Sequence, residues 1–272
     1  MFQIINGRIL SDIWINTRLK VVRTLIPWNL IKKDNKVLDL GAGEGTYLGD
    51  MFEQKGCYTI FADIEQELIN RMPKKNKMCF DAQDLNKYFV ENSFDWIITA
   101  DMLEHIKDDK KVLEHIYNCL KPNGHALIMV PAYRSLYSKH QKDIGHYRRY
   151  DLNKFKETLK QTGFLIKKSR YTCSFLFPPL YLIQRLTDET KFYNKEKQHN
   201  KNYIKSKLEP HLKPLLNLIT SLDSKLNLPF GTSLLFLVQK KENKIINQTK
   251  ELRSISEEIK NIWPINIIWV KH

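Results

Sequence analysis

Only four cysteines occur in 272 residues, Cys57, Cys79, Cys119 and Cys173, and no two share a paired spacing. That leaves neither a zinc knuckle nor a disulfide framework to read, and it points to a reducing, cytoplasmic compartment. Long hydrophobic runs are missing too. The longest, FLFPPLYLI at 175–183, contains two prolines and falls far short of the ~20 residues needed to cross a bilayer. The opening stretch MFQIINGRILSDIW has no continuous apolar core ahead of a small-residue cleavage site, so no signal peptide is expected. A soluble or at most peripheral protein follows. No internal repeat is present. Glycine is scarce, 10 residues in all, and three of them stand at alternate positions in VLDLGAGEGTYL, 37–48.

The charge that is present is unevenly spread. The chain carries a net +14, yet residues 1–100 hold 13 Lys/Arg against 13 Asp/Glu, and residues 101–272 hold 31 against 17. A basic half suits an anionic partner such as a phosphorylated small molecule, a membrane surface or nucleic acid. A lysine-rich surface that is merely solvated explains the same numbers, and both readings stand at this point.

Residues 1–35 read as a helical cap, with RLKVVRTLI placing apolar groups at helical spacing. From residue 36 the period changes. Short apolar runs recur between helical or turn stretches: KVLDL (36–40), CYTIFAD (57–63), KMCFDA (77–82), FDWIITA (94–100) and HALIMVP (125–131). Strands alternating with helices predict crossover units and a parallel sheet covered on both faces. KKVLEHIYNCLKPNG predicts an amphipathic helix stopped by Pro122 and Gly124. DLNKFKETLKQTGF predicts another, with Asp151 as N-cap and Gly163 as stop. Strand patterns return at 164–172 and 233–241, separated by a region far longer than an ordinary connection, so 172–232 reads as an inserted helical region. The tail, 242–272, predicts one further amphipathic helix.

The glycine loop departs from a dinucleotide fingerprint, because Thr46 stands where a sixth-position glycine is required. Asp39, two residues before Gly41, puts a carboxylate at the same spot. A carboxylate is a poor neighbour for a pyrophosphate and a good one for an ammonium or sulfonium, so the loop suits a cationic, amino-acid-like ligand. Asp63 ends the second strand, where its carboxylate can accept ribose hydroxyls or cap the next helix. Asp81 and Ala82 end the third, where an acid and a backbone N–H can read an adenine. Ala100 and Asp101 close the fourth.

This order, VLDLGAGEG, ADIE, FDAQDL, SFDWIITADMLEHI and LKPNGHALIMVPA, resembles the class I S-adenosylmethionine-dependent methyltransferases, especially the small-molecule group that includes the quinone-biosynthesis enzymes. The likeness covers about 36–171 and resumes at 233–240. It implies a Rossmann-like α/β fold: a seven-stranded, mostly parallel sheet with the last strand antiparallel beside the sixth, and helices on both faces. It implies S-adenosyl-L-methionine as cofactor. Gly41, Ala42, Gly43 and Gly45 would border its methionine part and ribose, and Asp39 its amino end. Asp63 and Ile64 would flank the ribose, Asp81 and Ala82 the adenine, and the Ala100 carbonyl the ammonium. SKHQKDIGHYRRY is similar to a narrower bacterial and archaeal subgroup carrying GHYRRY after the fifth strand.

Methyl transfer from a sulfonium is an in-line displacement that mainly needs alignment and exclusion of water. A base is needed when the acceptor must lose a proton, as a hydroxyl must. His105, His140 and His146 are the candidates, His146 foremost, with a structural role for His105 as the alternative. No metal is expected, since His140, Asp143 and His146 need not converge. Arg148 and Arg149 can clamp an anionic group of the substrate, or one of them can anchor the loop to Asp108 or Asp109. Tyr133, Tyr137 and Tyr147 are expected to line the acceptor pocket. The apolar stretch 173–186 is either a lid leaning on the inner face of a membrane or the packed base of the insertion.

The expected activity is therefore methyl transfer, on oxygen, to a small acceptor that is anionic or lipid- or glycan-linked. An RNA methyltransferase is the runner-up, opposed by the absence of an Asn/Asp-Pro-Pro-Tyr/Phe stretch or a cysteine after the fourth strand. A non-catalytic protein that binds the cofactor to regulate a partner is another alternative. Thr46 and Asp39 argue against a nicotinamide dehydrogenase.

Overall fold

The computed structural model describes residues 8–45, 47–137, 139–178, 181–182, 214 and 218–242. The chain divides into two compact units, Met1–Lys240 and Lys241–His272. The expected tail helix lies outside the described residues, as does most of the inserted region.

Helix α1 (Arg8–Leu25) leads through a 3-10 turn (Trp28–Leu30) into β1 (Lys36–Leu40). There follow α2 (Leu48–Glu53), β2 (Tyr58–Asp63), α3 (Gln66–Arg71), β3 (Lys77–Cys79), α4 (Leu85–Tyr88) and β4 (Phe94–Ala100). Then come α5 (Asp109–Cys119), β5 (Leu120–Pro131), α6 (Lys139–Asp143), α7 (Leu152–Gln161), β6 (Phe164–Thr172) and β7 (Ser233–Lys240). The strands form one seven-stranded sheet in the order β3-β2-β1-β4-β5-β7-β6. Strands β1 to β5 pair in parallel, and β7 runs antiparallel to both β5 and β6. The last strand thus inserts beside the sixth, as the resemblance implied.

Alternating residues of each strand feed two opposite cores. Leu38, Leu40, Ile97 and Ile128 face one side with Val112, Leu113 and Ile116 of α5 and Phe155 and Leu159 of α7. Val37, Trp96, Ile98 and Leu127 face the other with Val21, Val22 and Leu25 of α1 and Met51 and Phe52 of α2. Each such side chain contributes roughly 1.5–3 kcal/mol when fully buried. Burial on both faces is why the strands read as continuous apolar runs rather than alternating ones.

Two boundaries differ from expectation. Helix α5 ends at Cys119, and the strand already starts at Leu120, so Pro122 and Gly124 lie within β5 rather than in a stopping turn. The pairing of β4 with β5 shifts register between Phe94 and Trp96, and Asn123 takes a left-handed φ of 63° there. Helix α7 follows Asp151, but that side chain makes no capping bond. Past β6 the chain turns at Cys173, and a helical stretch over 218–225 returns to it. Buried Asp223 accepts the backbone N–H groups of Cys173 at 2.9 Å and Ser174 at 2.7 Å, tying that return to the end of β6. Among the described residues, no helix is long and apolar enough to cross a membrane.

Candidate functional site

The strand order reverses between β1 and β4, the place where open α/β sheets bind ligands at the carboxyl ends of their strands. The glycine loop sits there. Gly41, Gly43 and Gly45 all take left-handed φ values, 76°, 58° and 69°. The N–H groups of Gly41 and Ala42 both donate to the Ala62 carbonyl at 2.9 Å. The Gly43 N–H donates to Asp63 Oδ2 at 2.8 Å, while Asp63 Oδ1 accepts from the Glu65 N–H at 3.0 Å. The loop is thus clipped to the tip of β2. Ile64, beside Asp63, is well exposed.

A Cβ on Gly41 would stand 2.8 Å from Met102 Cβ and Cγ, whereas a Cβ on Gly43 would meet open space. Gly41→Ala combines that clash with a backbone conformation that L-residues avoid. It is expected to destabilise the fold by about 1–3 kcal/mol, read as a lower thermal midpoint.

Asp39 lies almost fully buried beneath the loop and accepts the Gly49 N–H at 3.0 Å. That amide belongs to the first turn of α2, whose own N-cap, Tyr47, makes no side-chain cap. Asp39 therefore does the capping from β1. The fit is tight, since a Cβ on Gly49 would stand 2.6 Å from Asp39 Oδ2. Burial pushes the Asp39 carboxyl up to about 7 against the pull of the Gly49 hydrogen bond, with Asp50 and Asp63 adding repulsion. At the end of β3, Asp81 Oδ1 accepts the Gln83 N–H at 2.9 Å and opens a 3-10 turn, with Ala82 buried beside it. Ala100 ends β4 with Met129 of β5 as its partner. The fold thus gathers the predicted cofactor residues on adjacent strand ends.

Beyond β4 lies a group of charges, buried except for the partly exposed Asp101. Asp101 takes a left-handed φ of 52°. Both its oxygens accept from Arg18 of α1, Nη2 to Oδ1 at 2.8 Å and Nη1 to Oδ2, and Arg18 Nε donates to the Met129 sulfur. Glu104 is 1% exposed, and burial with the nearby Asp101 charge drives its carboxyl well above the usual range. Arg149 is 2% exposed. It donates through Nε to the Ala132 carbonyl at 2.6 Å and through Nη2 to the Thr232 carbonyl at 3.1 Å. Burial holds its guanidinium down at about 10, against the pull of Glu104 and Asp101.

His105 falls in a 3-10 turn, Leu103–His105, ahead of α5 rather than on the helix. Burial lowers its imidazole below the usual value, favouring the neutral ring. Its ring meets His146 edge-on, with centroids 4.4 Å apart. His140 lies on α6, and its side chain is outside the described residues.

The remaining predicted acceptor residues separate. Tyr137 donates its hydroxyl to the His146 carbonyl at 2.6 Å. Tyr133 stacks on Tyr171, and its hydroxyl is held well above its usual value by burial. Tyr147 is 57% exposed. Arg148 donates to Asp109 Oδ1 at 2.6 Å and to the Lys107 carbonyl at 2.5 Å, and Tyr150 donates to Asp109 Oδ2 at 2.8 Å. The Arg148–Asp109 bond is the anchoring that stood as the alternative to a substrate clamp. Arg148 anchors the loop to Asp109, and Arg149 braces two carbonyls from the interior. Sequence reasoning missed Arg18, Glu104 and Gly49. Glu104 stood in plain view beside His105, but a buried Glu carries no local signature, and Arg18 meets Asp101 only through the packing of α1.

The methyltransferase domain family matches residues 16–168 of this chain. The phosphoethanolamine N-methyltransferase of Plasmodium falciparum is 35% identical over 105 residues, covering 36% of this chain and 40% of that protein. The ubiquinone/menaquinone biosynthesis C-methyltransferase UbiE of Wigglesworthia glossinidia brevipalpis is 25% identical over 191 residues, covering 63% of this chain and 72% of that protein. The chain therefore spans well under half of the Plasmodium relative, and 33% of a Caenorhabditis elegans phosphoethanolamine N-methyltransferase. In fold it resembles Haemonchus contortus phosphoethanolamine N-methyltransferase 2, solved with phosphomonomethylethanolamine and S-adenosylhomocysteine. The TM-score is 0.53 at 22% identity, over 82% of this chain and 53% of that one. With the family match covering more than half of the sequence, and with this sheet order and glycine loop, the chain belongs to the class I S-adenosylmethionine-dependent methyltransferases.

Proposed function

We propose that this chain binds S-adenosylmethionine at the ends of β1 to β4 and transfers its methyl group, by in-line displacement, to a small acceptor. The observation that carries the reading is the buried Asp39 carboxyl beneath the glycine loop, pushed up to about 7 and bonded to one backbone amide. A cationic ligand above it favours the ionised form and is favoured in return. In this reading Gly41, Ala42, Gly43 and Gly45 border the methionine and ribose, Asp63 and Ile64 the ribose, and Asp81 and Ala82 the adenine. The Ala100 carbonyl accepts from the ammonium.

The acceptor reading is transfer to oxygen. His105, kept neutral by burial and in contact with His146, is suited to take the proton that a hydroxyl gives up as it is methylated. Methylation of nitrogen is the second reading, favoured by the likeness to proteins named phosphoethanolamine N-methyltransferases.

Titration calorimetry with S-adenosylmethionine and with NAD tests the cofactor. Heat from the first and none from the second is expected, and the reverse ends the proposal. Transfer of a tritiated methyl group to small-molecule, lipid, glycan and RNA fractions then tests the acceptor. Label is expected in a small-molecule product. Label in RNA alone transfers the case to the runner-up, and binding without label in any fraction to a regulatory protein.

A further inference from the structure

The turn after β4 and the loop after α6 bring one carboxylate and two imidazoles together. One ligand atom from each of Glu104, His105 and His146 falls within a mutual distance of 4.8 Å. The imidazole planes of His105 and His146 stand at 80° with centroids 4.4 Å apart, so a nitrogen of each ring can turn toward one point.

Three bonds hold this arrangement from the backbone side. The Tyr147 N–H donates to the Glu104 carbonyl at 2.7 Å, and the His146 N–H donates to the Gln141 carbonyl at 2.9 Å. The Tyr137 hydroxyl donates to the His146 carbonyl at 2.6 Å. Glu104 and His146 are therefore held at their backbones, and the His105 ring hydrogen-bonds to the Gly145 backbone.

Glu104 supplies the independent sign that something belongs there. Its side chain is 1% exposed, and Oε2 has no hydrogen-bond partner among the described residues. The charges of Arg18 and Arg149 act on it from nearby, but their described hydrogen bonds go to Asp101, to Met129 and to the carbonyls of Ala132 and Thr232. A buried carboxylate oxygen without a donor is expensive, and native interiors resolve it with a bond or a cation.

We propose that Glu104, His105 and His146 form a site for a divalent first-row transition-metal ion. Two imidazole nitrogens with one carboxylate oxygen suit Zn2+, Fe2+ or Co2+, whereas Mg2+ and Ca2+ take oxygen ligands. Metal–ligand bonds of about 2.0–2.2 Å place paired ligand atoms up to about 4.3 Å apart, so the triad closes by about half an ångström on binding. Three protein ligands leave at least one position open. The site adjoins the glycine loop, since Met102 packs on Gly41 and lies two residues before Glu104. An acceptor oxygen in the open position would be held, and made more acidic, beside the methyl donor; with His105 on the metal rather than acting as base, its proton would pass to solvent. That use of the metal rests on the methyl-transfer reading; binding of the metal does not. The expectation of no metal came from asking whether His140, Asp143 and His146 converge, and the fold pairs His146 with different partners.

The full chain, stripped with a chelator and free of S-adenosylmethionine, is titrated with Co2+ alone and followed by its visible d–d absorption. One equivalent is expected to bind and to be displaced by Zn2+. Glu104→Gln and His146→Ala are each expected to weaken binding at least tenfold, while Asp143→Asn on the exposed face of α6 keeps the wild-type affinity. In proton spectra of the wild type, two of the eight histidines should show paramagnetic shifts, so the site remains testable if a variant fails to fold. No visible band at 0.1 mM Co2+ would overturn the proposal, as would wild-type affinity in folded Glu104→Gln and His146→Ala. So would shifts confined to other histidines. A wild-type chain that binds S-adenosylmethionine but no Co2+ would sink this inference alone, and one that binds Co2+ but no S-adenosylmethionine would sink only the cofactor assignment.

Discussion

Asp39→Asn is expected to raise the melting temperature of the ligand-free protein at pH 8 and, at the same pH, to weaken S-adenosylmethionine binding about tenfold or more. The Asp39 carboxyl titrates near 7 in the folded chain against an ordinary 3.8, chiefly because it is buried. A group whose folded value is raised stabilises the fold while protonated, and that stability is lost as pH climbs from about 4 through 7. At 1.4 kcal/mol for each pH unit, the wild type gives up as much as about 4 kcal/mol across that window. Asparagine keeps an oxygen for the Gly49 N–H and has no charge to bury, so its advantage should shrink as pH falls toward 5. Ligand binding runs the opposite way. A sulfonium or ammonium favours the ionised carboxylate, so wild-type affinity should rise between pH 6 and 8 and that of the variant should stay flat. Paired thermal melts and calorimetry at pH 5, 6.5 and 8 check both. A variant that is less stable at pH 8 and binds S-adenosylmethionine as the wild type does would show that Asp39 is only a helix cap.

Arg149→Met should be the most destabilising of these substitutions, by about 3–5 kcal/mol. Arg149 is fully buried, and its guanidinium supplies the side-chain bonds to the Ala132 and Thr232 carbonyls. It also supplies positive charge facing Glu104 and Asp101. Methionine matches the length but leaves the Ala132 carbonyl without its side-chain donor and the nearby carboxylates short of a counter-charge. Denaturant unfolding should show a lower midpoint, with the loop over 132–150 becoming susceptible to protease. An arginine that clamps substrate behaves differently: its loss raises KM and leaves the unfolding midpoint in place, and that pattern would reverse the structural assignment. Arg148→Met, at a partly exposed position bonded to Asp109, should cost less.

The two arginines mark where the sequence ceased to be legible. They are neighbours in GHYRRY, of one type and one charge, and nothing local separates them. The chain sends one to the buried Asp109 at the start of α5 and the other to the Ala132 and Thr232 carbonyls, because successive side chains of a non-helical segment point to different sides. Pro122 and Gly124 misled for a related reason. Their local preference is for a turn, and the chain does kink there, with Asn123 left-handed and 121–124 passed over by the β4–β5 pairing. Leu120 and His125 on either side nonetheless both pair with β4, so the strand spans the kink. The parallel sheet, by contrast, was readable, because burial on two faces writes itself into every strand as an unbroken apolar run. The glycine loop was readable as well, since left-handed backbone at Gly41, Gly43 and Gly45 demands the residue type that the sequence displays.

Sequence alone therefore determined the strands of the parallel sheet, the helices between them and the glycine loop, since each depends on short-range pattern or on residue types with a single structural use, while the placing of the last strand came from the family resemblance. Only the tertiary structure decided which charges are buried and which side chains meet: Arg18 with Asp101, Arg149 with two carbonyls, Glu104 with His105 and His146. Those encounters join residues distant in the chain, and the cost of burying a charge is set by whatever packing brings to it.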